Sequence, residues 1–351
     1  MRNVMSSERS SIRLPVIIIA AIAIALLGLG AVSIAQTPAS TPKSTPAQSG
    51  KQAVTPTASP SPSPAADKPY PCPKGVTKNY AGRSMRKANF SGQDLTCADF
   101  TNSDIQGSNF NDAILVGASF VDAKLQGSTM INANLKDARM TNACLQYTKL
   151  DGANLEGAAI QGAWISNASL LNTRFVGDNL TSARMSGANF EYSNLTNAVF
   201  HKADLSYSKF GYAKLTNVSF NSATLLGADF YNARAANVDF ANAELNVARM
   251  GSANLTGATF TNAKMNDINL DNAVMRDAVL DGAKVTYSSL KYTNLSNAAM
   301  SNTDFTGSTF VAARLKGASW SGANLTGTKW VKTYCTDGSY SETNYGTCVG
   351  F

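Results

Sequence analysis

From Phe90 to Trp330 every fifth residue is large and apolar, with Ala235 the one exception. The residue two places earlier is Ala, Ser or Thr at all positions but Gln93, Asp178, Val218, Val238 and Ile268. The stretch GANLEGAAIQGAWISNASL, residues 152–170, shows the pattern: Leu155, Ile160, Ile165 and Leu170, each preceded by Ala153, Ala158, Ala163 or Ala168. A period of five suits neither common element. On a helix, five residues overshoot one turn by about 140°, so the apolar stripe would wander over every face. On a straight strand, an odd spacing sends successive large residues to opposite sides. Within one unit, however, the small and large residues lie two apart, on one side of an extended chain. Both spacings are satisfied only if the chain turns after each short extended piece, winding a coil around a common interior.

A longer period lies on top of the first. Phe90, Phe110, Phe190, Phe210, Phe230 and Phe310 share one position modulo twenty, and Phe100, Phe120, Phe200, Phe220, Phe240 and Phe260 another. Four units therefore make one coil, with phenylalanines stacked along two opposite faces. Two places after each large residue, Gly, Asn and Asp dominate (Gly92, Gly107, Asp112, Gly152 and Asn262), as tight corners require. Each buried large side chain contributes roughly 1.5–3 kcal/mol. About twelve coils at ~4.8 Å give a rod on the order of 60 Å long, its backbone hydrogen bonds running along the rod.

Units such as ANLEG, ADFYN, ANLTG and ADLSY resemble the A(D/N)Lxx motif of the pentapeptide-repeat family over residues 88–332. The resemblance implies an all-β fold, a right-handed quadrilateral parallel β-helix. Some members of that family mimic duplex DNA with an acidic surface and bind DNA gyrase. Here residues 88–332 carry 19 Lys/Arg against 19 Asp/Glu. A neutral repeat region argues against such a topoisomerase-binding mimic and gives no basic balance for nucleic acid.

The formal net charge of +7 comes from elsewhere: residues 1–87 hold 11 Lys/Arg against 2 acids, and the tail after 332 holds 2 acids and no base. Residues 1–13 form a basic segment with Arg2, Arg9 and Arg13. Residues 14–35 are uncharged and mostly apolar, long enough to span a bilayer as a helix with the arginines on the cytoplasmic side. The length favours an uncleaved signal anchor, while Ser33 and Ala35 before Gln36 also make a small-x-small signal-peptide cleavage site. Either way the rest of the chain is expected outside the cytoplasm, membrane-anchored or secreted. Residues 36–69, rich in Pro, Ser, Thr and Ala, read as a disordered, solvated linker.

A solenoid needs covered ends. Residues 70–87 are the expected N-terminal cap and 333–351 the C-terminal one, with Trp320 and Trp330 filling the last coils beneath it. Cys335 and Cys348, thirteen apart in turn-rich sequence, are a candidate disulfide in an exported chain. Cys72 and Cys97 could staple the other cap. Cys144, just before a large position, points outward and is left over.

Nothing in the sequence points to catalysis, a cofactor or a metal. The single histidine, His201, follows Phe200 and faces solvent; no nucleophile–base set, phosphate loop or metal-ligand cluster can be assembled around it. Asp99, Asp204 and Asp229 hold the outward place before a large residue, where the family pattern accounts for them. An ice-binding array would need an unbroken row of outward Thr. The row of Thr96, Thr196, Thr216 and Thr256 is broken by Lys136, Glu156, Arg276 and Lys316.

Tyrosine is the residue to follow. Tyr147, Tyr207 and Tyr287 stand at corner places along one edge, and Tyr192, Tyr212 and Tyr292 along the next, with Tyr231 on the face between. Tyr192, Tyr207, Tyr212 and Tyr231 fall within about two coils of ~4.8 Å each. Grouped exposed aromatics mark surfaces that bind proteins or sugars, whereas corner tyrosines that merely lie along neighbouring coils would shield backbone. The expected role is a non-enzymatic structural or protein-binding module outside the cytoplasmic membrane, its partner an extracytoplasmic protein. A carbohydrate-binding protein of the cell envelope, using the tyrosine-lined face, is the alternative.

Overall fold

The computed structural model describes residues 70–72, 78–343 and 347–348. All of these residues fall within one compact unit. The expected basic segment, apolar span and linker, residues 1–69, lie outside the described residues. Among the described residues no helix is long and apolar enough to cross a membrane.

Each place in the five-residue unit has its own task, and Ala98 to Asn102 shows all of them. Ala98 and Phe100 are fully buried. Asp99 between them faces outward and bridges Asn79 on the coil before and Ser119 on the coil after. Thr101 and Asn102 turn the corner; Asn102 has φ 57°, left-handed, and the Ser103 N–H closes the turn on the Phe100 carbonyl at 3.0 Å. The Asp99 carboxylate accepts the Thr101 N–H at 3.0 Å. Side chains of Asn and Asp thus appear twice for two reasons, accepting from the turn at the outward place and tolerating positive φ at the corner.

Coils join through parallel bridges at a register of twenty residues, from Asn79↔Asp99 to Arg314↔Tyr334, in four rows. Per unit, three backbone bonds cross between coils: Phe100 N–H to Ser119 at 2.7 Å, Asn102 N–H to Val121 at 2.9 Å and Ser119 N–H back to Ala98 at 2.9 Å. Among the described residues pairing widens to three-residue strands only at β1 (Thr309–Val311) and β2 (Lys329–Val331). The expected solenoid is the observed one: a β-helix with four sides per coil.

Its core holds an arrangement that periodicity did not reveal. Phenylalanines stack along each face as expected, Phe100 on Phe120 at 4.9 Å and Phe210 on Phe230 at 4.8 Å. The two ladders also meet across the middle, Phe210 edge-on to Phe220 at 5.5 Å and 73°. Rings from opposite walls are long enough to touch, so Phe210, Phe220 and their neighbours are held by stacking and by edge contacts together. Hydroxyls at the small place are satisfied by backbone: Ser108 donates to Met85 one coil back, and Thr148 to Leu145 in its own turn.

The regular winding runs past both expected boundaries. Tyr80 and Met85 pack on the core at large places, Tyr80 stacking on Phe100 at 4.8 Å. Residues 78–87 therefore belong to the ladder and not to a separate cap. At the other end Thr333 and Cys335 take the next small and large places, both buried. The reason is chemical: tyrosine and cysteine fill an inward place that the sequence pattern reserves for aliphatic side chains, Phe or Trp. Of the N-terminal cap, Cys72 is bonded to the corner residue Cys97 with Cα atoms 5.7 Å apart, and Tyr70 lies against Gly117 one coil on. At the C-terminal end Trp330 stacks on Phe310 at 4.3 Å and meets Trp320 edge-on at 5.8 Å. Cys335 is joined to Cys348, and the Ser341 N–H bonds Thr333. Cys144 carries a free, partly exposed thiol.

One rung is missing among the described residues. Ala159 and Asn179 do not bridge, and the bonds that Ile160 and Asn179 would make to the facing coil are absent. The cause is Asp178, the sole carboxylate at an inward small place. It is buried, and one oxygen accepts the Gly157 N–H at 2.6 Å while Oδ2 has no partner. Burial raises its carboxyl to about 8; the Gly157 N–H opposes this, Glu156 and Asp137 add to it, and Arg174 opposes it. Below the unfolded value, near 3.8, the group is neutral in both states and costs nothing extra. From there to about 8 the folded chain keeps a proton that the unfolded chain releases, so stability falls as pH rises, by at most ~1.4 kcal/mol per unit. We expect Asp178→Ala to raise the melting temperature, by a margin that widens between pH 5 and pH 8 in calorimetry. A margin independent of pH would show that the carboxyl does not titrate in this range.

A tyrosine edge as candidate functional site

The corner place sets the geometry of the outer surface. Its backbone is left-handed throughout, a conformation that costs an L-residue roughly 1–2 kcal/mol unless it is Gly or, less so, Asn or Asp. Most corners comply. One row even uses asparagine to bind coil to coil, Asn217 to Asn197 at 3.2 Å and Asn237 to Asn217 at 3.3 Å through their amides.

Tyrosines stand in such corners without that excuse. Tyr192, Tyr207, Tyr212, Tyr287 and Tyr292 have φ between 55° and 63°. All are exposed, Tyr212 at 46% and Tyr287 at 68%, so none repays its strain by filling the core. Their backbones are fixed in the ladder: the Tyr212 N–H donates to Tyr231 at 3.1 Å and the Tyr207 N–H to Leu226 at 2.8 Å.

Three of the expected residues come together. The Tyr192 and Tyr212 rings stack 5.1 Å apart with planes within 6°. Tyr231 meets Tyr212 edge-on at 6.2 Å and 83°. In the row Gly211, Tyr231, Gly251 the ring leans toward the next coil, 3.6 Å from where a Cβ on Gly251 would stand. The Asp229 carboxylate accepts the Tyr231 N–H at 2.9 Å and orients that turn.

The other tyrosines are placed differently. Tyr207 and Tyr287 lie over the corner glycines one coil on, Gly227 and Gly307, with ring carbons within 2.8 Å of where a Cβ would stand. Tyr292 is exposed and in ring contact with no described aromatic. The same rule holds for short side chains: Asn132 leans over Gly152 and Asn237 over Gly257. A corner side chain is thus paired with the corner twenty residues later, a signal available in the sequence as a bulky residue followed by Gly at that spacing. The sequence reading also missed an exposed Trp164 under the Arg184 guanidinium, 4.8 Å from the ring centre. His201 is partly exposed. Among the described residues, no group of three Asp, Glu, His or Cys could hold a metal ion.

Family models now say what the geometry resembles. The pentapeptide repeat region matches residues 93–170 and 213–290, and pentapeptide repeats (8 copies) match 153–191, 183–221 and 286–319. No curated protein matches the chain. Among solved structures it is similar to HetL of the cyanobacterium Nostoc sp. strain PCC 7120, a pentapeptide repeat protein involved in heterocyst differentiation regulation. Identity is 22%, over 76% of this chain and 94% of that one, with a TM-score of 0.22. QnrB1, a plasmid-mediated fluoroquinolone resistance protein, is 18% identical over 65% of this chain and 99% of its own, TM-score 0.26. A pentapeptide repeat protein of the Arabidopsis thaliana thylakoid lumen is 23% identical over 34% and 69%, TM-score 0.16. At these TM-scores none lends its role to this chain.

Gly227→Ala is expected to destabilise the fold by about 1–2 kcal/mol, combining left-handed strain with displacement of Tyr207. In a double-mutant cycle, Tyr207→Ala should recover the steric part and leave the backbone part. Equal losses with and without Tyr207 would mean that the ring does not rest on this glycine.

Proposed function

The chain belongs to the pentapeptide-repeat family, and on that premise we infer that it is a non-enzymatic protein-binding module. Its β-helix, about twelve coils at ~4.8 Å and right-handed as in its family, holds the tyrosine edge toward a partner. The observation that carries this reading is the strain at Tyr192 and Tyr212, exposed aromatics in left-handed corners where Asn would be cheaper and the core gains nothing. Fold requirements alone do not select tyrosine there.

A protein partner fits the edge better than a glycan. Sugar rings pack on open aromatic faces, but Tyr192 and Tyr212 turn their faces toward each other. The stack covers one face of each ring and Tyr231 meets Tyr212 edge-on, so ring edges and hydroxyls make up much of what is left, suited to a peptide's polar groups and apolar side chains. The setting we infer is extracytoplasmic, with the chain anchored through residues 14–35 or released after Ala35. Arg2, Arg9 and Arg13 before an uncharged apolar segment support it, as do the Cys72–Cys97 and Cys335–Cys348 disulfides, which suit an oxidising compartment.

The test is chemical cross-linking of the tagged full chain in its own cells, followed by purification. Tyr192→Asn/Tyr212→Asn should lose the cross-linked protein and melt no lower than the parent, since Asn suits the left-handed corner. Capture of the same protein in equal yield by the variant would remove the edge from the reading. Protection of the repeat region from protease added to intact cells would remove the extracytoplasmic setting.

A further inference from the structure

The tyrosine edge is bordered on both sides by cations, and on one side no acid stands beside them in the row. Lys209 stands on the face before the Tyr212 corner and Lys214 on the face after it, both exposed. Lys214 bridges Arg234 on the next coil, so two like charges sit side by side in one row. Directly opposed like charges on neighbouring strands destabilise a sheet. Elsewhere this chain relieves such a row: Lys264, which bridges Lys284, is paired with Glu244 at 2.6 Å. No carboxylate does this for Lys214 and Arg234 among the described residues. Their outer neighbours in the row are Asn194 and Asn254.

Nearby acids are engaged. Asp229 lies 3.8 Å from Arg249 with one oxygen and accepts the Tyr231 N–H with the other. Glu191 accepts from the Asn189 amide at 3.2 Å and lies against Gly211. Lys209 has Asp229 beside it in its row, whereas Lys214 and Arg234 are left as free positive charge next to a strained aromatic stack, two local costs on the same few coils.

Resting on the protein-binding reading, we propose that this edge is a docking site for an acidic peptide segment of the partner. Carboxylates of the segment pair with Lys214 and Arg234, and its other side chains lie along the ring edges and hydroxyls of Tyr192, Tyr212 and Tyr231. The partner removes the repulsion between Lys214 and Arg234 that the free protein bears, so affinity and on-rate both gain from the same charges. Acidic polysaccharide shares the charge, but two of the ring faces it would pack on are taken up in the Tyr192–Tyr212 stack.

The probe is a fluorescein-labelled peptide of ten glutamates, titrated with the full chain and followed by anisotropy. Binding is expected to weaken about tenfold or more in Lys214→Gln/Arg234→Gln, and with rising salt. Lys284→Gln, on the face opposite, should leave it unchanged. Absence of peptide binding, equal losses in both variants, or binding of polygalacturonate without binding of the peptide would each overturn the proposal. If Lys214→Gln/Arg234→Gln still cross-links the cellular partner at full yield, acidic docking falls while the protein-binding reading stands.

Discussion

Hydrogen bonds between neighbouring coils, in a register of twenty residues repeated in four rows, are what the whole fold rests on. They can form in register only if every coil has the same length, and every coil has the same length only if each corner turns in the same way. The left-handed residue at each corner and the i to i+3 bond that closes it therefore act together with the ladder. One inserted residue would shift all later side chains between inside and outside, and none is inserted from Phe90 to Trp330. The apolar interior follows from that regularity: Phe210 stacks on Phe190 and Phe230 because identical coils put identical positions above one another.

This is why so much of the fold was legible beforehand. A period of five leaves a mark at every inward place, and the twenty-residue recurrence of Phe gave the number of sides. What could not be read lies between coils or outside the residue classes of the pattern. The edge contacts of Phe210 with Phe220 depend on the width of the interior, which no periodicity encodes. Tyr80 and Cys335 were passed over because their side chains do not declare an inward place. Asp178 was visible as an exception, but its effect on the Ala159–Asn179 rung required the facing coil. At the candidate site the two edges of tyrosines were readable from position modulo twenty. That Tyr192, Tyr212 and Tyr231 meet while Tyr207 rests on Gly227 was not, because it depends on which way each ring leans.

Departures from internal consistency are informative in a molecule this repetitive. Most corner residues have a reason to be there, whether absence of a Cβ or a short polar side chain that tolerates positive φ, although Lys202, Val247 and a few others do not. Tyr192 and Tyr212 have neither, and the Lys214–Arg234 row lacks the carboxylate that other rows supply. Either departure alone would be a small local cost. Their coincidence on adjacent coils makes a shared cause, a ligand that meets both, the simplest physical account.

Where Asp178 sits bears on that account. The missing rung joins Ala159 to Asn179, in the row ten positions from the row that carries Lys209 and Asp229, and hence on the opposite side of the coil. On the tyrosine side the same two coils remain joined: Ser169 bridges Asn189 and Arg174 bridges Asn194. A buried carboxylate with an unpartnered oxygen thus loosens one wall without disturbing the backbone on which Tyr192 stands. A rigid platform needs its rungs only beneath the surface that is used. The defect falls where the platform can spare one, as expected if the tyrosine side is the side that works.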